Sequence, residues 1–193
     1  MRRATPLLAI AALAIAIPLS AATLDVQVTS PSGAAVADAV VYAIPAKAIP
    51  AGHKVAVMDQ KDRMFVPHVL PIQTGTWVEF PNSDNIRHQV YSLSPAKRFQ
   101  LPLYTGKPAY PLQFSTSGVV AIGCNIHDQM NAYIVVVDTP FFVKTEGGRG
   151  SLRDLEPGTY TLRVWHPEMR EEPKPQSVTI AAGANAPVTI VAK

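Results

Sequence analysis

The chain carries one cysteine, Cys124, in 193 residues. A single thiol cannot form an internal disulfide, so no covalent staple supports the fold. No apolar run reaches the ~20 residues that a membrane-spanning helix needs; the run over residues 7–19 stops short of it. Basic residues do not cluster among aromatics, which argues against nucleic acid as a partner. Charge of one sign does not dominate, with 17 Lys and Arg against 14 Asp and Glu. Internal repeats and low-complexity tracts are absent as well. Five histidines are present, and they show no cluster of the kind a second metal would need. Against these scarcities stand 18 prolines, which leave little room for helices.

The first residues have a recognisable pattern. Met1-Arg2-Arg3 is a short basic start, residues 7–19 are apolar, and Ser20-Ala21-Ala22 sets small residues before a cut at Thr23. This is the form of a cleaved secretory signal peptide over residues 1–22. No cysteine lies near the cut, so lipid attachment there is excluded. Arg2 and Arg3 leave with the signal, so the mature chain is nearly neutral. It is expected to be soluble and periplasmic, without stable membrane insertion, and monomeric. An unpaired thiol in an oxidising compartment is a hazard unless something occupies it.

Period-two patterns dominate the remainder. Leu24-Asp25-Val26-Gln27-Val28 alternates apolar and polar, as a half-buried strand does. Residues 36–44 read as a strand because Val40-Val41-Tyr42 and Pro45 outweigh the alanines. Further strands are expected over 54–58, 76–80, 89–92, 110–114, 119–122, 133–138, 176–180 and 187–191. Turn residues such as Gly75, Asn82, Pro95, Gly106, Pro108 and Gly118 separate them. Many short strands with regular turn signals predict an all-β sandwich.

The chemistry concentrates at Cys124-Asn125-Ile126-His127-Asp128-Gln129-Met130. A thiol, an imidazole and a thioether fall within seven residues, between the strand-like runs Val119-Val120-Ala121-Ile122 and Tyr133-Ile134-Val135-Val136-Val137. A lone Cys is ordinarily a small buried hydrophobe and a lone Met core filling. The combination reads differently, because soft sulfur with imidazole suits copper, above all with a weak axial Met. One further histidine is required, and His88 supplies it after the polar turn at Asn82-Ser83-Asp84-Asn85. The predicted metal ligands are therefore His88, Cys124, His127 and Met130, for one copper. Cys124 and His127 also admit a reading as nucleophile and base, but no carboxylate is placed to orient the histidine. Asp84, Asp128 and Arg87 read as a polar rim, His68 and His53 as loop residues, and His166 as structural or surface.

At these residues the chain resembles the cupredoxins, small type 1 (blue) copper proteins. The C-x-x-H-x-x-M loop is similar to the short ligand loop of amicyanins and pseudoazurins. Phe65-Val66-Pro67, Gly75-Thr76-Trp77-Val78-Glu79-Phe80-Pro81-Asn82 and His88 are similar to the family's first-histidine region. From Phe80 to His166 the chain resembles bacterial proteins labelled methylamine utilization protein. Gln89 stands where the family commonly has Asn, and Ile122 where it commonly has an aromatic. Leu155-Glu156-Pro157-Gly158-Thr159-Tyr160-Thr161-Leu162-Arg163-Val164 resembles the hairpin of carboxypeptidase-regulatory-like, or Cna-B-like, β modules.

The resemblance implies a cupredoxin Greek-key sandwich over 23–140 and a small Ig-like or prealbumin-like β module over 141–193. Residues 23–45 also resemble the first strands of that module, so two arrangements stand: a contiguous copper domain, or a copper domain inserted into a split module. The implied function is one-electron transfer without catalysis. Partners would be a c-type cytochrome or a periplasmic dehydrogenase, docking near His127, with Ala132, Tyr133 and Pro81 as contact residues. Backbone N–H groups near Asn82 or Asn125 are expected to donate to the thiolate. Copper storage or delivery, and a structural or binding module at the cell envelope, are the competing functions.

Overall fold

The computed structural model describes residues 21–52, 54–108, 110–183 and 185–192, so residues 1–20 and His53 lie outside it. Every element among the described residues is a strand. The chain opens with β1 (Ala22–Thr29), β2 (Val40–Pro45), β3 (Val55–Val57), β4 (Asp59–Lys61), β5 (Met64–Val66) and β6 (Val69–Gln73). It continues with β7 (Thr76–Glu79), β8 (Tyr91–Ser92), β9 (Phe99–Gln100), β10 (Leu112–Phe114), β11 (Gly118–Gly123) and β12 (Asn131–Val137). Then follow β13 (Phe142–Lys144), β14 (Arg149–Leu155), β15 (Gly158–Trp165), β16 (Gln176–Ile180) and β17 (Val188–Val191). The fold class is all-β, built from sheets packed face to face.

Period-two patterning decides which side chains meet. In β1, Leu24, Val26 and Val28 point inward while Thr23, Asp25 and Gln27 face solvent. β1 lies between β14 and β17, and β2 lies between β13 and β15, with β16 outside β15. The inner faces of these two sheets share a core of Leu24, Val26, Val41, Leu152, Leu162 and Ile180. Strands from before residue 46 thus pair with strands from after residue 141.

The middle of the chain builds a second core. A five-stranded sheet in the order β6-β12-β11-β8-β9 faces the sheet β10-β7-β3. Their shared interior includes Val78, Phe80, Phe114, Val120, Ile122 and Ile134. A third cluster joins the two halves: Val40, Val69, Val135 and Val137, covered by Tyr42, Tyr133, Phe142 and Trp165. The alternation along β12 explains its unbroken apolar run. Ala132, Ile134 and Val136 face one core, while Tyr133, Val135 and Val137 face the third cluster. A strand buried on both faces has no solvent side on which polar residues could alternate.

β4, β5, β9 and β13 are strands beyond those expected, and two further differences have a local cause. Residues 36–39 are not strand: the chain turns there, with Asp38 at φ 57° and its side chain paired with Lys144 at 2.9 Å. Asp adopts the left-handed region at lower cost than a β-branched residue, so the strand begins only at Val40. β6 was not expected, because Pro71 interrupts its apolar run. It survives because β6 is the edge strand of its sheet, parallel to β12, where a missing N–H is tolerated.

Candidate metal centre

The ligand loop is set by strand register. Gly123 pairs with Asn131, so residues 124–130 must close between neighbouring antiparallel strands. Three backbone bonds close it: Cys124 N–H to the Met130 carbonyl at 3.1 Å, Met130 N–H to the His127 carbonyl at 2.9 Å, and Asn131 N–H to the Gln129 carbonyl at 3.1 Å. Cys124 and Met130 therefore flank the loop, and both are buried in the middle core. His127 sits at mid-loop, half-buried.

His88 arrives from a separate segment. It bridges to Tyr104 by two backbone bonds, N–H to O at 3.1 Å and O from N–H at 3.0 Å. The turn before it is pinned by Asn82, whose Nδ2 donates to the carbonyls of Ile86 at 2.9 Å and Tyr104 at 2.8 Å. The His88 side chain is fully buried, at 0% exposure.

His88, Cys124 and His127 each offer a ligand atom, and these atoms lie within 4.8 Å of one another. The two imidazoles meet edge to face, centroids 5.0 Å apart. His88 Nε2 is 2.6 Å from Asp84 Oδ2, which leaves Nδ1 as its available nitrogen. Nδ1 of His88 and Nδ1 of His127 are both buried, and neither has a hydrogen-bond partner. Buried polar atoms are normally paired, so two orphaned nitrogens beside a free thiol need an explanation. A metal ion supplies one, and the donor set fits it. Met130 is buried in the same core cluster as Cys124.

The surroundings are polar and closely linked. Asn125 Nδ2 donates to Gln89 Oε1 at 2.6 Å, tying the ligand loop to the residue after His88. The Tyr104 hydroxyl donates to the Phe80 carbonyl at 2.6 Å and accepts from Gln60 Nε2. Burial pushes the Tyr104 phenol up to about 12; the Gln60 bond opposes this, and the charges of Asp59 and Cys124 add to it. For Asp84, desolvation acts to raise the carboxyl. The N–H of Arg63, the His88 ring and the N–H of Asp62 outweigh that and hold it below its ordinary value.

Several expectations require correction. Asp84 is not merely rim, since it is bonded to the ring of a predicted ligand. The Asn82 N–H donates to the Gly106 carbonyl, so it is not available to the thiolate. Ala132 is buried, so it cannot form a docking surface; Tyr133 is half-buried and packs against Trp165 with centroids 5.2 Å apart. His166 is engaged locally, its Nδ1 accepting from Glu168 N–H at 3.2 Å. His68 is exposed at a bend, with its ring edge against Tyr133. Asp128 and Arg87 are exposed, as a rim requires. The sequence reading missed the roles of Gln60 and Tyr104. Of the groups touching the ligands, Asp84 had a visible signal, a carboxylate four residues before His88.

No family model and no curated protein matches the chain. Solved structures do resemble it. One is a Cu-containing nitrite reductase from Thermus scotoductus SA-01, at 25% identity and TM-score 0.41, over 49% of this chain and 26% of that one. The chain thus spans about a quarter of that reductase. Another is an oxidised amicyanin variant, at 20% identity and TM-score 0.39, over 52% of this chain and 99% of that one. A third is a purple cupredoxin from Nitrosopumilus maritimus, at 20% identity and TM-score 0.37, over 44% of this chain and 99% of that one.

Proposed function

We propose that this chain is a periplasmic type 1 copper protein that carries single electrons between redox partners. The observation that carries the reading is the pair of buried, unpartnered imidazole nitrogens beside the Cys124 thiol. His88, Cys124 and His127 would hold one copper, with Met130 as a weak axial ligand. Two imidazoles, one thiolate and a long thioether suit both Cu(I) and Cu(II), so bound copper supplies a one-electron couple with little rearrangement. His88 is fixed by the bridge to Tyr104 rather than by the ligand loop, so the fold sets its distance from Cys124 in either oxidation state.

His127 is the ligand nearest solvent, and we assign it the exit path. The residue before it, Ile126, is 51% exposed. An open hollow lined by Tyr91, Leu93, Asn125 and Asp128 reaches Cys124 and Met130, and Leu93 on its wall is 75% exposed. A c-type cytochrome or a periplasmic dehydrogenase would dock here, beside the exposed Ile126 and Leu93, in place of a contact through the buried Ala132. Small redox encounters bury little area, which suits a transient partner. The copper domain would be inserted into a split β module, because β1 and β2 pair only with strands beyond residue 141.

Delivery of copper to an acceptor is the competing reading. Burial of His88 and Cys124 favours retention, since release would require opening the loop against its three backbone bonds. The test is the visible spectrum of the copper-loaded protein. An intense thiolate-to-copper band is expected, and Cys124→Ser should abolish it. Survival of the band in that variant overturns the ligand set; loss of copper on reduction and reoxidation replaces the carrier reading with delivery.

A further inference from the structure

We propose that Asp84 is the positioning residue of the site: clamped by the β4–β5 turn, it fixes the tautomer of His88 and lowers the redox potential. The inference rests on the copper reading above. It starts from the 2.6 Å contact between Asp84 Oδ2 and His88 Nε2. A carboxylate accepts only, so the proton of the neutral imidazole must sit on Nε2. Nδ1 then carries the lone pair, and Nδ1 is the buried atom without a partner. One bond thus selects the form of His88 that can ligate.

The carboxylate is itself held from several directions. Its Oδ1 accepts the Asp62 N–H at 2.7 Å, and its Oδ2 accepts the Arg63 N–H at 3.0 Å. Its own N–H donates to Asn82 Oδ1 at 3.0 Å. Asp62 and Arg63 are the two residues between Lys61 and Met64, which pair across the β4–β5 hairpin. Their φ angles are 54° and 59°, the left-handed pair that a two-residue primed turn requires. Non-glycine residues enter that region at a cost, so the turn is over-determined by its surroundings. Here it aims two successive N–H groups at one carboxylate. The side chains of Asp62 and Arg63 play no part in the contact, whereas their backbone donors do.

The consequence for the metal follows from charge. A carboxylate bonded to a ligating histidine raises the basicity of the ring. A more basic ligand favours Cu(II) over Cu(I), so the potential falls. Removing the negative charge while keeping an acceptor should raise it. Removing the acceptor altogether should also release the ring, and changes of this type typically weaken metal binding by about 10–100-fold.

The experiment compares Asp84→Asn with Asp84→Ala. In copper-loaded protein, Asp84→Asn should retain the thiolate band with a higher midpoint potential. Asp84→Ala should bind copper roughly 10–100-fold more weakly. A metal-free readout separates this inference from the copper reading: nitrogen-15 NMR of the apoprotein should show His88 protonated at Nε2, and Asp84→Ala should lose that single tautomer. Unchanged potential, affinity and tautomer in a folded Asp84→Ala protein overturn the proposal. A wild type with the Nε2–H tautomer but no copper band sinks the copper reading and leaves the Asp84–His88 pairing standing.

Discussion

Met130 closes the ligand loop twice through its backbone, and its side chain is buried at 1% exposure. Its position therefore depends on the loop and not on any bond to the sulfur. Replacing the side chain should leave the loop in place. Met130→Gln is expected to keep copper and lower the midpoint potential, because a harder axial oxygen favours Cu(II). Voltammetry checks this, and an unchanged potential would show that the Met130 sulfur is not a ligand. At this scale the sequence was readable where chemistry is local. Cys124, His127 and Met130 lie within one loop, and their residue types alone suggested a metal. His88 was found as the remaining donor after a turn. Asp84 was legible only as rim, because its bond to His88 is supported by a turn 21 to 22 residues earlier whose N–H groups hold the carboxylate. Gln60 and Tyr104 escaped for the same reason: they meet Phe80 only once β4 and the segment after β9 have folded over it.

Strand β12 shows what an element contributes beyond its own pairing. Its register with β11 sets the ligand loop, and its two faces serve two separate clusters. Ile134 stands at its centre, fully buried, opposite Val120 on β11 and Leu70 on β6. Truncating a buried isoleucine removes transfer free energy and leaves a cavity, so Ile134→Ala should cost about 2–5 kcal/mol. Urea unfolding of the apoprotein measures it, as a lower midpoint with an unchanged slope. A cost below about 1 kcal/mol would mean that neighbouring strands collapse into the space. Strands with alternating or continuous apolar runs were legible, as β1, β11, β12 and β16 show. β6 was not, because a proline is compatible with a strand only at a sheet edge, and position within a sheet is not written in a local pattern. The turn at residues 36–39 was hidden by apolar residues whose side chains pack without belonging to a strand.

The whole molecule is joined across a gap in sequence. β1 and β2 pair with β13, β14, β15 and β17, and their inward residues Leu24, Val26, Val28, Val41 and Ala43 pack on Leu152, Leu162 and Val164. The sequence offered two arrangements, and local patterns could not choose between them, because either pairing buries the same alternating residues. A shortened chain distinguishes them. Ending the protein after Pro140 would leave the inner faces of β1 and β2 without partners. A fully buried Val or Leu contributes about 1.5–3 kcal/mol, and a domain holds only about 5–15 kcal/mol in all. Losing these contacts should therefore release residues 22–45 outright. The same cut uncovers Tyr133, Val135 and Val137, but it leaves the middle core and the ligand loop with all their own partners. The expected result is a chain that forms the thiolate-to-copper band while amides of 22–45 exchange rapidly and are cleaved by protease. Protection of those amides in the shortened chain would establish a contiguous copper domain instead. Loss of the band together with protection of the middle core would show that the third cluster is needed to hold β12, and with it the ligand loop, in register.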